Sequence, residues 1–109
     1  CVIPTRNGRT GSAFTSRGKL NIRNAKFRLD DRPLDPECGC SVCRRYSLGY
    51  LRHLQQAGEM TAATLISHHN VAFFLALMRR ARRAIAEGRY QTFHRETIEK
   101  MASESSAAV

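Results

Sequence analysis

Three cysteines, Cys38, Cys40 and Cys43, fall within six residues in the segment PECGCSVC. Thiolates at C-x-C-x2-C spacing can converge on one ion. Zinc is the default occupant, because it is tetrahedral, redox-inert and well matched to sulfur and imidazole. The fourth cysteine, Cys1, stands far away in sequence. The set does not look like a secreted disulfide framework, and a cytoplasmic metal site is expected instead. A fourth ligand must come from His53, His68, His69 or His94. His53 lies on the helix predicted to follow Cys43, about 15 Å along its axis at about 1.5 Å per residue, which is too far without a bend. His94 falls on a weak final helix. His68 and His69 open the strongest predicted helix but point about 100° apart, and spacing alone does not choose between them. Four protein ligands leave no position for an activated water, so the metal is expected to be structural. There is no Ser/His/Asp arrangement, no P-loop and no acid/base carboxylate pair. Asp30 and Asp31 are adjacent, but they sit in a linker and are expected to face solvent.

The elements that must position these residues are legible in outline. PTRNGRTGS, residues 4–12, reads as a loop, since Pro, Asn-Gly and Gly are turn formers. Residues 13–16 and 19–28 read as short strands in a hairpin turning at Arg17-Gly18, with Leu20, Ile22 and Phe27 towards a small core. LDDRPLDPE is a linker leading into the cysteines. Ser41 is the expected N-cap of a helix over 42–56, with Val42, Tyr46, Tyr50, Leu51 and Leu54 near one stripe. Gly49 weakens that helix and Gly58 ends it. A short helical piece over 59–66 precedes a strong helix over 69–87, which Gly88 stops. Val71, Phe74, Leu75, Met78, Ala81 and Ile85 share one face of this helix, a broad face for so short a chain. It suggests packing on something beyond these residues. A weaker helix covers 90–101, and the tail 102–109 is expected to be disordered. No apolar run approaches the roughly 18–20 residues of a membrane span, and no membrane partner is expected.

The chain has 109 residues, net charge +9 and a pI near 10.3. That is one small domain, in which a structural metal would add useful stability. It starts at Cys1 without Met, which suggests a fragment or a processed product. Residues 1–28 carry Arg6, Arg9, Arg17, Lys19, Arg23, Lys26 and Arg28 and no acid. Such a block suits a polyanion, most simply nucleic-acid phosphates.

Taken in order, CVIPTRNGRTG, LNIRNAKF, PLDPECGCSVCRRYS, YLRHL, HHN at the head of a long helix and AIAEGR closely resemble the C-terminal part of bacterial tRNA-guanine transglycosylases, also called queuine tRNA-ribosyltransferases. The resemblance runs from residue 1 to about residue 101. It implies an α+β piece of a (β/α)8 barrel enzyme. Residues 1–12 would form an RNA-contact loop, 13–68 an inserted zinc subdomain, and 69–101 a helix returning to the barrel with its successor. Cys38, Cys40 and Cys43 match the family's thiolate ligands. The family's histidine ligand directly precedes an Asn, which selects His69. Thr5, Arg6, Asn7, Gly8 and Arg9 match its wobble-base recognition loop. The implied reaction exchanges guanine at the tRNA wobble position for a 7-deazaguanine through a covalent aspartyl-ribose intermediate. Homodimerisation is implied as well. The nucleophilic aspartate would directly precede Cys1, so these residues alone are not expected to catalyse. The competing expectation is a free-standing, non-catalytic zinc module that binds RNA.

Overall fold

A computed structural model describes residues 2–105, so Cys1 lies outside the described residues. The chain folds as α1 (Ile3–Arg9), a hairpin of β1 (Ser12–Thr15) and β2 (Gly18–Asn21), a 3-10 turn (Ala25–Phe27), α2 (Ser41–Arg45), α3 (Leu48–Gln56), α4 (Met60–Ala86) and α5 (Tyr90–Ser105). Among the described residues it is a small α+β piece with one sheet of two antiparallel strands. The 27-residue α4 is the spine, and α1, β1, α2, α3 and α5 all pack on it.

Several elements depart from expectation. PTRNGR is helical rather than a loop. Pro4 is tolerated in the first turn, where its missing N–H has no partner to lose. The turn former Gly8 is instead buried against Ser67 of α4, where a Cβ would lie 2.3 Å from Ser67 Oγ and 2.8 Å from Ser67 Cα. Tertiary contact overrides turn propensity there. The hairpin turns at Ser16-Arg17, one residue earlier than expected, because Thr15 pairs with Gly18. Gly18 then enters β2 at φ +123°, a conformation that favours glycine.

The strand expected over 19–28 ends at Asn21. Asn24 then caps the 3-10 turn by accepting from the Lys26 N–H at 3.0 Å. Ile22 and Phe27 are buried as expected, with Leu20 packed beside them. The linker has no regular structure, yet Leu34 and Asp35 are buried in it. Asp31 faces solvent, but Asp30 does not. Its side chain is 9% exposed and grips Arg32 through the backbone N–H, Nε and Nη2. These Arg32 hydrogen bonds hold its carboxyl below the usual range.

The helix expected over 42–56 is two. Tyr46 is extended, and Ser47 caps α3 by accepting from the Tyr50 N–H. Gly49 has a packing reason, because its N–H donates to Asp30 C=O at 2.8 Å and a Cβ there would meet the same oxygen. Gly58 and Gly88, both at positive φ, end their helices as expected.

The pieces expected over 59–66 and 69–87 form one helix, because nothing between them breaks it. His68 and His69 therefore sit in its middle. Its core face is Ile66, His69, Asn70 and Phe73. The stripe read as its core, Val71, Leu75, Met78 and Ile85, is exposed. Phe74 of that face meets the hairpin edge-on to Phe14, with ring centroids 4.9 Å apart, and Ala81 is half-buried. The final helix runs beyond 101, so residues 102–105 are helical rather than disordered, while residues 106–109 lie outside the described residues.

By length and composition α4 can cross a membrane, with a mean hydropathy of 1.3 in its most apolar window. This corrects the expectation that no segment qualifies. It is weak ground for a membrane assignment. Most of that window is unburied here, while His69 and Asn70 within it are fully buried and hydrogen-bonded to protein groups.

Candidate metal centre

The three cysteines enter from a tight loop and the first turn of α2. Cys40 itself is the N-cap, not Ser41, because its Sγ accepts from the Cys43 N–H at 3.4 Å. The Cys40 N–H in turn donates to Cys38 Sγ at 3.5 Å. Backbone donors thus point at sulfur, which favours thiolates. His69 supplies the fourth group from the middle of α4. Its Nδ1 lies 3.5 Å from Cys40 Sγ and 3.3 Å from Cys43 Sγ.

The ligand atoms of Cys38, Cys40, Cys43 and His69 all lie within 4.8 Å of one another. A tetrahedral zinc has ligand–ligand edges of about 3.6–3.8 Å, from Zn–S near 2.3 Å and Zn–N near 2.0–2.1 Å. The donor set fits that ion. Burial pushes the Cys43 and Cys38 thiols up, and the charge of neighbouring sulfurs adds to this. A divalent cation offsets that repulsion. Burial also lowers the His69 pKa, favouring the neutral imidazole that a metal requires. The cluster can hold one zinc ion, structural in kind because its four donors fill a tetrahedron.

The surrounding shell was not legible in the sequence. His69 Nε2 lies 2.8 Å from Phe14 C=O, to which its N–H donates, leaving Nδ1 free for the metal. His68 turns outward, exposed, towards Ser41 Oγ at 3.4 Å. Asp35 is 2% exposed. Its carboxylate accepts from the Ser16 N–H at 2.8 Å, Ser16 Oγ at 3.0 Å and the Glu37 N–H at 3.1 Å, and its carbonyl accepts from the Cys38 N–H. It fastens the hairpin turn to the cysteine loop. An acidic residue beside Pro36 before a metal loop was the available signal, but nothing in the sequence named Ser16 as its partner. Asp35→Asn keeps the size and places an N–H where an acceptor is needed. It is expected to weaken zinc affinity about 10-fold, measurable by competition with a chromophoric chelator.

The residues singled out for RNA contact all lie on α1. Thr5, Arg6 and Arg9 are exposed, Asn7 is half-buried and Gly8 is buried on α4. They do not join the metal cluster, but α1 packs on the helix that carries His69, with Gly8 seated on Ser67. His53 and His94 are exposed and apart from it.

Fold and site define a small α+β module built round a Cys3His metal centre. The sequence model of the queuine tRNA-ribosyltransferase family matches residues 1–103, and the chain belongs to that family. It is 56% identical over 93 residues to the queuine tRNA-ribosyltransferase of Sphingopyxis alaskensis, covering 85% of this chain and 25% of the relative. It is 50% identical over 94 residues to that of Leptospira biflexa, covering 86% and 25%, and 49% identical over 100 residues to that of Helicobacter pylori strain J99, covering 92% and 27%. The chain spans about a quarter of the length of these curated relatives.

Proposed function

We propose that this chain supplies the structural zinc site and part of the tRNA contact surface of an enzyme that exchanges guanine at the tRNA wobble position for a 7-deazaguanine. Family membership together with the Cys3His cluster carries this reading. The covalent step, attack of an aspartate carboxylate on the ribose anomeric carbon with departure of guanine, belongs to residues beyond those described. Among the described residues, Asp35 is committed to Ser16 and Asp30 to Arg32, and Asp31 faces solvent in the linker. Zinc when bound holds the cysteine loop against α4, and the reaction steps do not pass through it.

In this reading residues 1–12 are the RNA-contact element, 13–68 the zinc subdomain and 69–101 the return to the barrel. The exposed stripe Val71, Leu75, Met78 and Ile85 lies against the rest of a longer, homodimeric, cytoplasmic enzyme. Thr5, Arg6, Asn7, Gly8 and Arg9 form the RNA-contact segment. The exposed Arg6 and Arg9 reach phosphates or the edges of unstacked bases, while Gly8 seats the helix carrying them.

The test is binding of a tRNA anticodon stem-loop across a salt series. Arg6→Ala and Arg9→Ala are each expected to weaken binding about 10-fold and to reduce the salt slope by about 1, as loss of one phosphate contact does. Unchanged affinity and slope in both variants would remove α1 from the RNA surface. Salt-dependent RNA binding without base exchange in the longest natural form of the protein would favour the free-standing module.

A further inference from the structure

Asn70 follows the ligand His69, and its side chain is fully buried. Its carboxamide uses both hydrogens and one oxygen lone pair on backbone groups from two different elements. Oδ1 accepts from the Phe14 N–H of β1 at 2.9 Å. Nδ2 donates to Ser12 C=O of β1 and to Pro4 C=O of α1, both at 3.0 Å. Phe14 is thus held on both of its backbone groups by consecutive α4 residues, its N–H by Asn70 and its C=O by His69. These groups lie on the edge of β1 that β2 does not pair, since antiparallel residues alternate between bonding their partner and facing away. Two side chains of α4 serve that edge in place of a third strand.

The same turn of α4 carries Ser67, on which Gly8 of α1 is seated. Among the described residues, a second polar tie between these helices, from Ser67 Oγ to Thr5 C=O, is long at 3.4 Å and exposed. One turn of α4 therefore touches the metal cluster, the hairpin edge and α1.

We propose that Asn70 is a positioning residue that couples occupancy of the metal centre to the placement of α1. With its Nδ1 on a metal, the His69 ring is fixed and so is the Phe14 carbonyl. That sets β1 where Asn70 can bond Phe14, Ser12 and Pro4 together. Without the metal the ring is free to turn, the β1 edge loosens, and the carboxamide loses the geometry that pins α1. The consequence for RNA rests on the proposed role of Arg6 and Arg9, whereas the coupling itself does not.

The experiment is amide hydrogen exchange on the zinc-loaded protein, with zinc content and stem-loop binding measured in parallel. Asn70→Ala is expected to keep one zinc per chain, to speed exchange of the Arg6–Thr10 amides at least 10-fold and to weaken RNA binding about 10-fold. Removing zinc from the unsubstituted protein is expected to speed the same amides. Zinc removal should then change RNA affinity less in Asn70→Ala than in the unsubstituted protein, the signature of a broken coupling. Asn70→Asp keeps an acceptor for Phe14 but loses the donors to Pro4 and Ser12, so it should loosen α1 more than Phe14. Equal loosening of both marks a general core residue and overturns the proposal. So does unchanged α1 exchange after zinc removal from the unsubstituted protein, a measurement that needs no variant to fold. Faster α1 exchange with RNA affinity indifferent to Asn70→Ala, Arg6→Ala and Arg9→Ala alike would support the coupling while overturning the RNA role of α1.

Discussion

Cys40→Ala and His69→Ala are expected to lose stoichiometric zinc, while His68→Ala keeps one ion per chain. Cys40 contributes one of the four donor atoms and also caps α2 through its sulfur. His69 contributes the one nitrogen donor, from a side chain that is fully buried. His68 is one residue away, exposed, and its ring faces Ser41. Structural zinc contributes about 10–16 kcal/mol of apparent binding free energy in small zinc domains. Loss of a ligand should exceed the roughly 10–100-fold affinity loss typical of a supporting residue. The apolar core continues directly into the cluster, since Cys43 lies in it and Cys38 and Cys40 pack against it. Thermal unfolding should therefore fall to the temperature of the chelator-treated protein in both ligand variants. Elemental analysis after gel filtration checks the metal, and equal zinc in the His68 and His69 variants would defeat the assignment. Acid should act in the same direction. Protons compete with the cation for the three thiolates and the imidazole, so zinc and the stability it supplies are lost as pH falls.

Gly8→Ala is expected to destabilise the protein by about 3 kcal/mol, the upper end of the usual overpacking cost. In most helices this change is mildly stabilising, because alanine is the better helix former by about 1 kcal/mol. Here the new methyl meets Ser67 N and Cα at 2.8 Å as well as the hydroxyl. Backbone cannot rotate aside, so α1 must lift from α4. Ser67→Gly in the same chain should recover only part of the loss, since it removes the hydroxyl and leaves the backbone contact. Denaturant unfolding of the single and double variants measures both effects. A stabilised Gly8→Ala protein would mean that α1 does not sit on α4 at this distance. On the proposed RNA role of Arg6 and Arg9, which ride on α1, the displacement should also weaken stem-loop binding.

Metal chemistry was legible because it depends on local spacing. Three cysteines in six residues limit the occupant whatever the rest of the chain does, and the glycines at 58 and 88 mark helix ends by their own backbone freedom. The resemblance in HHN picked out His69, whereas composition and periodicity left His68 equally eligible. What the tertiary structure decided were the contacts between segments far apart in sequence. Asn-Gly at 7–8 signals a turn locally, but close approach to Ser67 makes it helix. The apolar stripe at Val71, Leu75 and Met78 signals a core locally, but the neighbours of α4 in this chain cover the adjacent face of Ile66, His69, Asn70 and Phe73. Asp35 and Asn70 fall inside the motifs PLDPECGC and HHN, but neither motif names their partners. Their partners, Ser16, Phe14, Ser12 and Pro4, lie 19 to 66 residues away. A buried carboxylate and a buried carboxamide must each find hydrogen-bond partners. Composition states that need, and only the folded chain states which groups meet it.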